Sequence, residues 1–151
     1  MDILQKIKDK IIYYLHRRDH SEKELRQKLS KFEFEIHDIE KAINWAKERG
    51  YMSDPNRLSE RHVERLQKKK KGIRYIQNYL QQKGLPPSPI NDDQEYLNAK
   101  SLALQIAKKM KLSLDIEKLE REHKEKIGQK LLTRGFSMGI VRKIIYSNEL
   151  N

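Results

Sequence analysis

The sequence predicts an all-α protein built from three tandem three-helix repeats, and three observations support this fold class. Glycine and proline are scarce, with six and four in 151 residues. Apolar residues recur at spacings of three and four, and no window shows the alternation with period two that is typical of a strand. The chain also matches itself at a distance of 51 residues, which is the mark of a repeat architecture.

The self-match consists of four apolar columns that align across three copies without a gap. Because a unit of three short helices cannot bury its apolar face alone, stacked repeats are expected to share a core and to form an elongated array. Chance periodicity in a helical sequence is the alternative. We place repeat 1 at about 1–53, repeat 2 at about 54–94 and repeat 3 at about 95–151, within a single domain of residues 1–151. The columns are Leu25, Ile76 and Ile127; Leu29, Leu80 and Leu131; Phe34, Leu85 and Phe136; and Ile39, Ile90 and Val141.

Local start and stop signals divide the pattern into helices. Ser21 and Glu24 have the spacing of a capping box. Asp54-Pro55 and Ser88-Pro89 place a capping side chain before a proline at the first helical position, and three glycines are expected at helix C-termini: Gly50, Gly84 and Gly135. The predicted helices cover 2–18, 21–31, 36–49, 55–70, 72–83, 89–110 with a break near 94, 115–134 and 137–148.

Charge and composition restrict the function. The chain has 33 basic and 22 acidic residues, a net charge of +11, which favours an anionic partner such as nucleic acid over the alternative of charge that is merely solvated. The absence of cysteine excludes disulfides, thiolate zinc sites and cysteine nucleophiles. Neither a secretory signal nor a membrane span is apparent, so we expect a soluble, cytoplasmic monomer.

No motif for catalysis or for a cofactor is found. No glycine-rich phosphate loop occurs. His16 and His20 lie four residues apart, but Ser21 begins a new helix and no carboxylate completes a metal-binding set. We therefore expect no enzyme activity, no cofactor and no metal.

The strongest local feature is the basic segment Arg61–Arg74, in which seven cations accompany one acid, Glu64. Its lysine run, Lys68–Lys71, could be a flexible tail, a linker or a cluster fixed on a folded surface. In the 51-residue register Gly72 aligns with the capping Ser21, which favours the fixed cluster. Such a cluster would bind phosphates with strongly salt-dependent affinity. Tyr75 and Tyr79 next to it suit stacking on unpaired bases, although packing at the rim of the core is the better explanation for the tyrosines taken alone.

The helix pair in residues 21–49 could also be a helix-turn-helix DNA reader. Its second helix, however, begins with three acidic residues, Glu35, Asp38 and Glu40. Acidic side chains would lie where a recognition helix meets the groove, which argues against sequence-specific DNA binding by this pair.

Several motifs together resemble the RecX family of bacterial recombination regulators, over about residues 15–145. Leu15–Leu29, LHRRDHSEKELRQKL, resembles the signature L-x-x-R-x-x-S-x-x-E-L-x-x-K-L of that family. Three weaker motifs follow in the family's order. Gly50–Asp54 resembles G-Y-L-x-D, Gln82–Leu85 resembles Q-K-G-I, and Leu131–Phe136 resembles L-x-x-R-G-[FY].

The chain departs from the family pattern in three places. The family commonly has K-G-x-G-P where this chain has Lys69–Ile73, KKKGI. The D-x-R-F that follows the turn in the family appears as Asp54–Leu58, DPNRL, one residue longer and without the aromatic. The segment 86–93 is proline-rich, which puts the sixth helix of the family fold in doubt.

The resemblance implies a curved array of helical repeats that binds RecA nucleoprotein filaments. It also implies inhibition of the recombinase, ATPase and coprotease activities of RecA, together with binding to single- and double-stranded DNA. The alternative is a general DNA-binding protein or a helix-turn-helix regulator that acts without RecA. We predict that the filament and its DNA contact eight basic residues: Arg17, Arg18, Arg65, Lys68, Lys69, Lys70, Lys71 and Arg74.

Overall fold

The computed structural model describes residues 2–146. Within them the backbone forms eight α-helices and one short 3-10 helix, and no strand. The fold class predicted from the sequence is therefore confirmed. The α-helices are α1 (Ile3–Arg17), α2 (Glu22–Leu29), α3 (Ile36–Glu48), α4 (Pro55–Lys68), α5 (Ile73–Gln82), α6 (Asp92–Lys109), α7 (Arg121–Thr133) and α8 (Met138–Tyr146), and the 3-10 helix is Ile116–Lys118.

The chain folds into two compact units. The first unit comprises Met1–Glu60 and Leu80–Pro87, and the second comprises Arg61–Tyr79 and Ser88–Asn151. Helices α4 and α5 therefore contribute residues to both units.

The core of the first unit lies among α1, α2 and α3. Its buried members come from positions that repeat every three or four residues along each helix, so each helix turns one apolar stripe inward. The Ser21 capping box is formed in full: the Ser21 hydroxyl accepts from the Glu24 main chain, and the Glu24 carboxylate accepts from the Ser21 main chain. The core side chains are Ile7, Ile11, Leu25, Leu29, Ile39, Ala42, Ile43 and Ala46.

The core of the second unit lies among α6, α7, α8 and the 3-10 helix. Small alanines on α6 allow close approach of the neighbouring helices, and larger side chains of α7 and α8 fill the centre. The core side chains are Ala99, Leu102, Ala103, Ala107, Ile116, Ile127, Leu131, Phe136, Val141, Ile144 and Ile145.

The start of α6 differs from its prediction. No helix begins at Ser88-Pro89; α6 begins at Asp92, where the Asn91 side chain accepts from the Gln94 main chain. The Asn91 backbone is in turn fixed on both sides by the Gln67 side chain. The contact with Gln67 thus fixes Asn91 as the N-cap of α6. The predicted break near 94 is wrong, because α6 runs unbroken to Lys109.

The helix predicted for residues 115–134 is also divided. The 3-10 turn Ile116–Lys118 is followed by extended backbone at Leu119 and Glu120, and α7 begins at Arg121. Ile116 is buried in the core of the second unit. This apolar anchor fixes the short turn and separates it from α7.

The repeat columns are largely buried. The first two columns are fully buried in all three copies, whereas Phe34 and Ile90 are half-buried. Ile90 lies in the loop before α6, whereas the corresponding Ile39 and Val141 lie within α3 and α8. Across residues 2–146, no helix combines the length and the apolar character needed to cross a membrane.

Candidate nucleic-acid interface

The lysine run forms a tight turn between α4 and α5, which we call the lysine turn (Lys69–Gly72). Lys70 adopts the left-handed conformation, with φ of +60°. The Lys70 N–H donates to the Gln67 carbonyl at 2.9 Å, and the Lys71 N–H donates to the Leu66 carbonyl at 3.0 Å. This is the usual way in which glycine ends a helix, but here a lysine adopts it, at a cost of about 1 kcal/mol.

The main chain after the lysine turn is fixed by the end of α7. The Gly72 N–H donates to the Arg134 carbonyl at 3.1 Å, and the Arg74 N–H donates to the Gly135 carbonyl at 2.8 Å. A Cβ atom on Gly72 would lie 2.2 Å from the carbonyl carbon of Gly135, so no other residue fits without movement of the backbone. Two of the amides that lack a partner at the start of a helix are thus satisfied by tertiary contacts.

Buried polar side chains hold the lysine turn from the other side. The Glu95 carboxylate is almost completely buried and accepts from the Ile73 N–H at 3.0 Å. Burial raises the pKa of Glu95 above its ordinary value. Next to it, the buried Asn98 side chain donates to the carbonyl of Gln67 at 2.7 Å, at the end of α4. Anchors before and after the turn show that the lysines belong to a fixed surface and not to a tail or a linker.

Two cations of this surface are exposed and make no interaction with the described residues. The side chains of Lys69 and Arg74 are exposed and have no ion-pair or hydrogen-bond partner in the described part of the chain. Lys68 lies 3.5 Å from Glu64, but both groups are largely solvated, and such a pair contributes little. These three side chains are available to phosphates.

The other cations of the cluster rest on hydroxyl groups and rings. Lys70 donates to the Ser101 hydroxyl at 2.9 Å. The Lys71 ammonium lies 4.8 Å from the centre of the Tyr75 ring. Arg65 donates to the Tyr79 hydroxyl at 3.1 Å and also contacts His62. None of these contacts neutralises the charge, so the cluster keeps its positive potential.

Both tyrosines therefore sit under cations. Tyr75 is 41% exposed and Tyr79 is half-buried. Cation–π contact orients Lys71 and Arg65 above the rings. A base could stack on Tyr75 from its open side, whereas Tyr79 serves mainly to position Arg65.

The first unit contains the remaining two predicted contact residues, and they differ from each other. Arg17 is exposed at the end of α1 and its guanidinium lies over the Tyr13 ring. Arg18 instead donates to the Glu24 carboxylate at 2.7 Å, where Lys83 is the second cation at 3.3 Å. Arg18 thus has a structural partner that the sequence did not reveal.

Glu24 is the electrostatic centre of the first unit. Burial alone would raise the pKa of its carboxyl group, but the hydrogen bonds from Arg18 and the Ser21 main chain, with the charge of Lys83, lower that pKa to about 2. Nearby, burial lowers the pKa of His20, and the charges of Arg18 and Lys28 lower it further.

One basic residue near the lysine turn was missed by the sequence reasoning. Arg134 is exposed and follows α7, and its carbonyl accepts from Gly72. It stands 60 residues after Arg74, so no local pattern links the two. The 51-residue register could have revealed it, because Lys83 and Gly84 correspond to Arg134 and Gly135, and Ser21, which corresponds to Gly72, donates to the Lys83 carbonyl.

Comparison with known proteins identifies the family. The family profile described as RecX, first three-helix domain, matches residues 8–45. A regulatory protein RecX of Streptococcus agalactiae serotype V is 26% identical over 139 residues, which cover 92% of this chain and 54% of that protein. The regulatory protein RecX of Clostridioides difficile strain 630 is 32% identical over 152 residues, which cover 93% of this chain and 66% of that protein. The chain belongs to the RecX family.

Solved structures agree in fold. A crystal structure of RecX from Lactobacillus salivarius superposes with a TM-score of 0.80, at 23% identity, and covers 98% of this chain and 97% of that one. A second crystal structure of regulatory protein RecX gives a TM-score of 0.78, also at 23% identity, and covers 95% of this chain and 73% of that one. The chain spans about half the length of the Streptococcus RecX protein that it matches.

The departure of this RecX chain from K-G-x-G-P now has a physical explanation. Lys70 stands where the pattern has its first glycine, and it is the residue with positive φ. Gly72 keeps the second glycine, the position where a Cβ would clash. Ile73 replaces a proline at the first position of α5, and its N–H is bonded by Glu95. Relative to that pattern, Lys70 adds a charge to the turn, and Ile73 has an N–H for the Glu95 carboxylate that a proline would lack.

Proposed function

We propose that this RecX protein binds RecA nucleoprotein filaments and inhibits the recombinase, ATPase and coprotease activities of RecA. The observation that carries the proposal is the lysine turn: a cationic surface, fixed at both ends by buried polar contacts, suits the phosphates of filament DNA. Membership of the RecX family supports RecA as the partner. We further infer that the protein acts as a cytoplasmic monomer without enzyme activity.

The contact surface in this proposal lies on the second unit and comprises Arg65, Lys68, Lys69, Lys70, Lys71 and Arg74. Arg17 on the first unit is a separate contact residue. Lys69 and Arg74 are the most accessible of these, since their side chains are exposed and have no partner in residues 2–146. Arg18 has a smaller role as a contact residue, because its guanidinium is bonded to Glu24.

The test is the double charge reversal Lys69→Glu/Arg74→Glu. We expect helical circular dichroism to be unchanged, because neither side chain has a contact to lose. The concentration needed to inhibit the ATPase of RecA on single-stranded DNA should rise about tenfold or more, and less at high salt. The matched control Lys41→Glu/Arg49→Glu changes the same charge at two exposed positions of the first unit. Equal inhibition by both variants and the wild type would remove the lysine turn from the mechanism.

A second candidate function is DNA binding without RecA, and the charge of the second unit favours it. That unit has 19 basic and 10 acidic residues, a net charge of +9. Excess competitor DNA separates the two functions: a protein that only competes for DNA loses its effect on RecA, whereas one that binds the filament keeps it. A helix-turn-helix regulator is disfavoured because the acidic residues Glu35 and Asp38 lie at the start of α3, where a recognition helix would meet the groove.

A further inference from the structure

The second unit contains a groove between α6 and α7 that the lysine turn does not use, with a volume of about 420 Å³. From α6 it is lined by Leu102, Gln105, Ile106 and Lys109, whose spacing places them on one face of the helix. From α7 and its C-terminal cap it is lined by Lys130, Thr133 and Arg134. We call this the α6–α7 groove.

The groove is positive, and none of the described residues that line it is acidic. Among residues 2–146 its lining includes the cations Lys109, Lys130 and Arg134 and no carboxylate. None of the three side chains has an ion-pair or hydrogen-bond partner in residues 2–146. Elsewhere on α7, Arg121 is paired with Glu125 and Lys126 with Glu122, and the Lys124 ammonium lies over the Tyr146 ring. Cations near a helix C-terminus interact favourably with the helix dipole, which explains why the three cations of the groove lie there. The dipole does not explain the apolar floor between them.

The floor of the groove is aliphatic. Leu102 is buried in the core, and Ile106 is half-buried above it and belongs to the rim of the same core. No aromatic ring of the described part of the chain lines the groove, so these residues offer an unpaired base no surface on which to stack. Phosphates alone do not need an apolar floor, whereas a peptide with alternating acidic and aliphatic side chains would use both the floor and the rim.

We propose that the α6–α7 groove binds an acidic protein segment that inserts an aliphatic side chain over Ile106 and places carboxylates against Lys109, Lys130 and Arg134. The volume is in the range of pockets that hold a compact ligand or a peptide anchor. This surface goes beyond the nucleic-acid contact and stands without it. It gives the protein a second anionic partner of a different chemistry.

The experiment uses the full chain and a fluorescein-labelled peptide of about 12 residues in which pairs of glutamate alternate with pairs of leucine. Binding is followed by fluorescence anisotropy. A peptide with serine in place of leucine tests the apolar floor, and a labelled oligodeoxythymidylate tests nucleic acid. The variant Lys130→Glu/Arg134→Glu reverses the rim, and Arg142→Glu/Lys143→Glu on α8 makes the same change of charge at exposed positions outside the groove.

The proposal expects that the leucine peptide binds, that the rim variant weakens it about tenfold or more, and that the α8 variant changes it less than about twofold. The serine peptide should bind about tenfold more weakly. Lys69→Glu/Arg74→Glu should leave peptide binding unchanged, which separates this proposal from the one for the lysine turn.

Several results would overturn the groove. They are an absence of peptide binding, equal binding of the serine peptide, an equal loss in the rim and α8 variants, or a rim effect confined to the oligonucleotide. Circular dichroism and thermal unfolding check that the rim variant folds. If the rim variant does not fold, the variant Lys109→Glu is used in its place, because Lys109 is exposed at the last position of α6. The same changes in peptide binding are expected for it.

Discussion

The two units of this protein differ in net charge and in what their most central cations contact. The first unit has 14 basic and 12 acidic residues, a net charge of +2, whereas the second has a net charge of +9. In the first unit, cations meet carboxylates: Arg18 and Lys83 surround Glu24, and Arg26 bonds both Glu22 and Glu40. In the second, the cations of the lysine turn meet hydroxyls, rings or solvent. The central cations of the first unit are thus paired with carboxylates, whereas those of the lysine turn have no carboxylate partner in residues 2–146 and are available to the anionic partner that we propose.

The same comparison applies to one contact that occurs in each unit. In the first, the Ser21 hydroxyl donates to the carbonyl of Lys83. In the second, 51 residues later, the Gly72 N–H donates to the carbonyl of Arg134. A side chain makes the contact in one unit and the main chain makes it in the other, so the second allows a closer approach but tolerates no side chain.

The largest effect is expected where the close approach is broken. Gly72→Ala places a Cβ 2.2 Å from main-chain atoms of Gly135, and should lower the free energy of unfolding by roughly 3 kcal/mol. Gly139→Ala is the matched control, since no atom of the described residues would lie within 4 Å of its Cβ. Chemical denaturation measures both. A Gly72→Ala loss no larger than that of the control would mean that the junction is not tight.

Removal of the central carboxylate of the first unit comes next. Glu24→Gln should cost roughly 2 to 3 kcal/mol at neutral pH, after allowance for screening of half-exposed Arg18. Because the folded-state pKa of Glu24 is about 2 against an ordinary 4.5, its contribution is complete above pH 4.5 and is lost as the pH falls toward 2. Unfolding free energies measured from pH 6 to pH 2.5 should fall less steeply in the variant than in the wild type, and equal slopes would contradict this role.

A smaller gain is expected at the lysine turn. Lys70→Gly removes the cost of a side chain at φ of +60° and should raise the free energy of unfolding by up to about 1 kcal/mol, reduced by loss of the bond to Ser101. Lys111→Gly is a matched control, because Lys111 has φ of +58° after α6. Thermal unfolding should show gains in both variants. A loss at position 70 alone would indicate that the Lys70 side chain stabilises the turn more than its backbone strain destabilises it.

The smallest effect concerns the buried carboxylate of the second unit, whose pH dependence has the opposite sign to that of Glu24. Burial raises the pKa of Glu95, so in the window above pH 4.5 the folded state binds more protons than the unfolded state, and stability from this group rises as the pH falls. Glu95→Gln keeps an acceptor for the Ile73 N–H and should abolish this rise with little change in structure. Glu64→Gln, at an exposed carboxylate, should leave the pH profile as it is. An unaltered profile in Glu95→Gln would contradict the assigned pKa direction.

The sequence predicted features that depend on neighbours in the chain. The capping box of Ser21 and Glu24 needs only residues three apart, and it is present. The start of α6 was misplaced at Pro89 because its true cap, Asn91, is selected by a side chain from α4. Local patterns cannot encode such a choice, since Gln67 lies 24 residues away.

The candidate site was predictable to a similar extent. The cations Lys69 and Arg74 were identified from their density in the sequence, and the structure leaves them exposed. The pairing of Arg18 with Glu24 and the approach of Arg134 to the lysine turn depend on how the helices pack. The density of basic residues in the sequence predicts which segment could bind an anionic partner. Only the packing of the helices shows which of those cations are exposed and which are already paired with a carboxylate.

The junction between Gly72 and Gly135 has an evolutionary consequence. The junction is made by main-chain hydrogen bonds, and its two glycines lack side chains. The same junction could therefore form between another pair of repeats whatever side chains those repeats carry elsewhere. The Ser21 version requires a hydroxyl at one position, whereas the glycine version requires nothing but space. Duplication of a repeat would therefore preserve this joint immediately, and selection could then act on the charges around it.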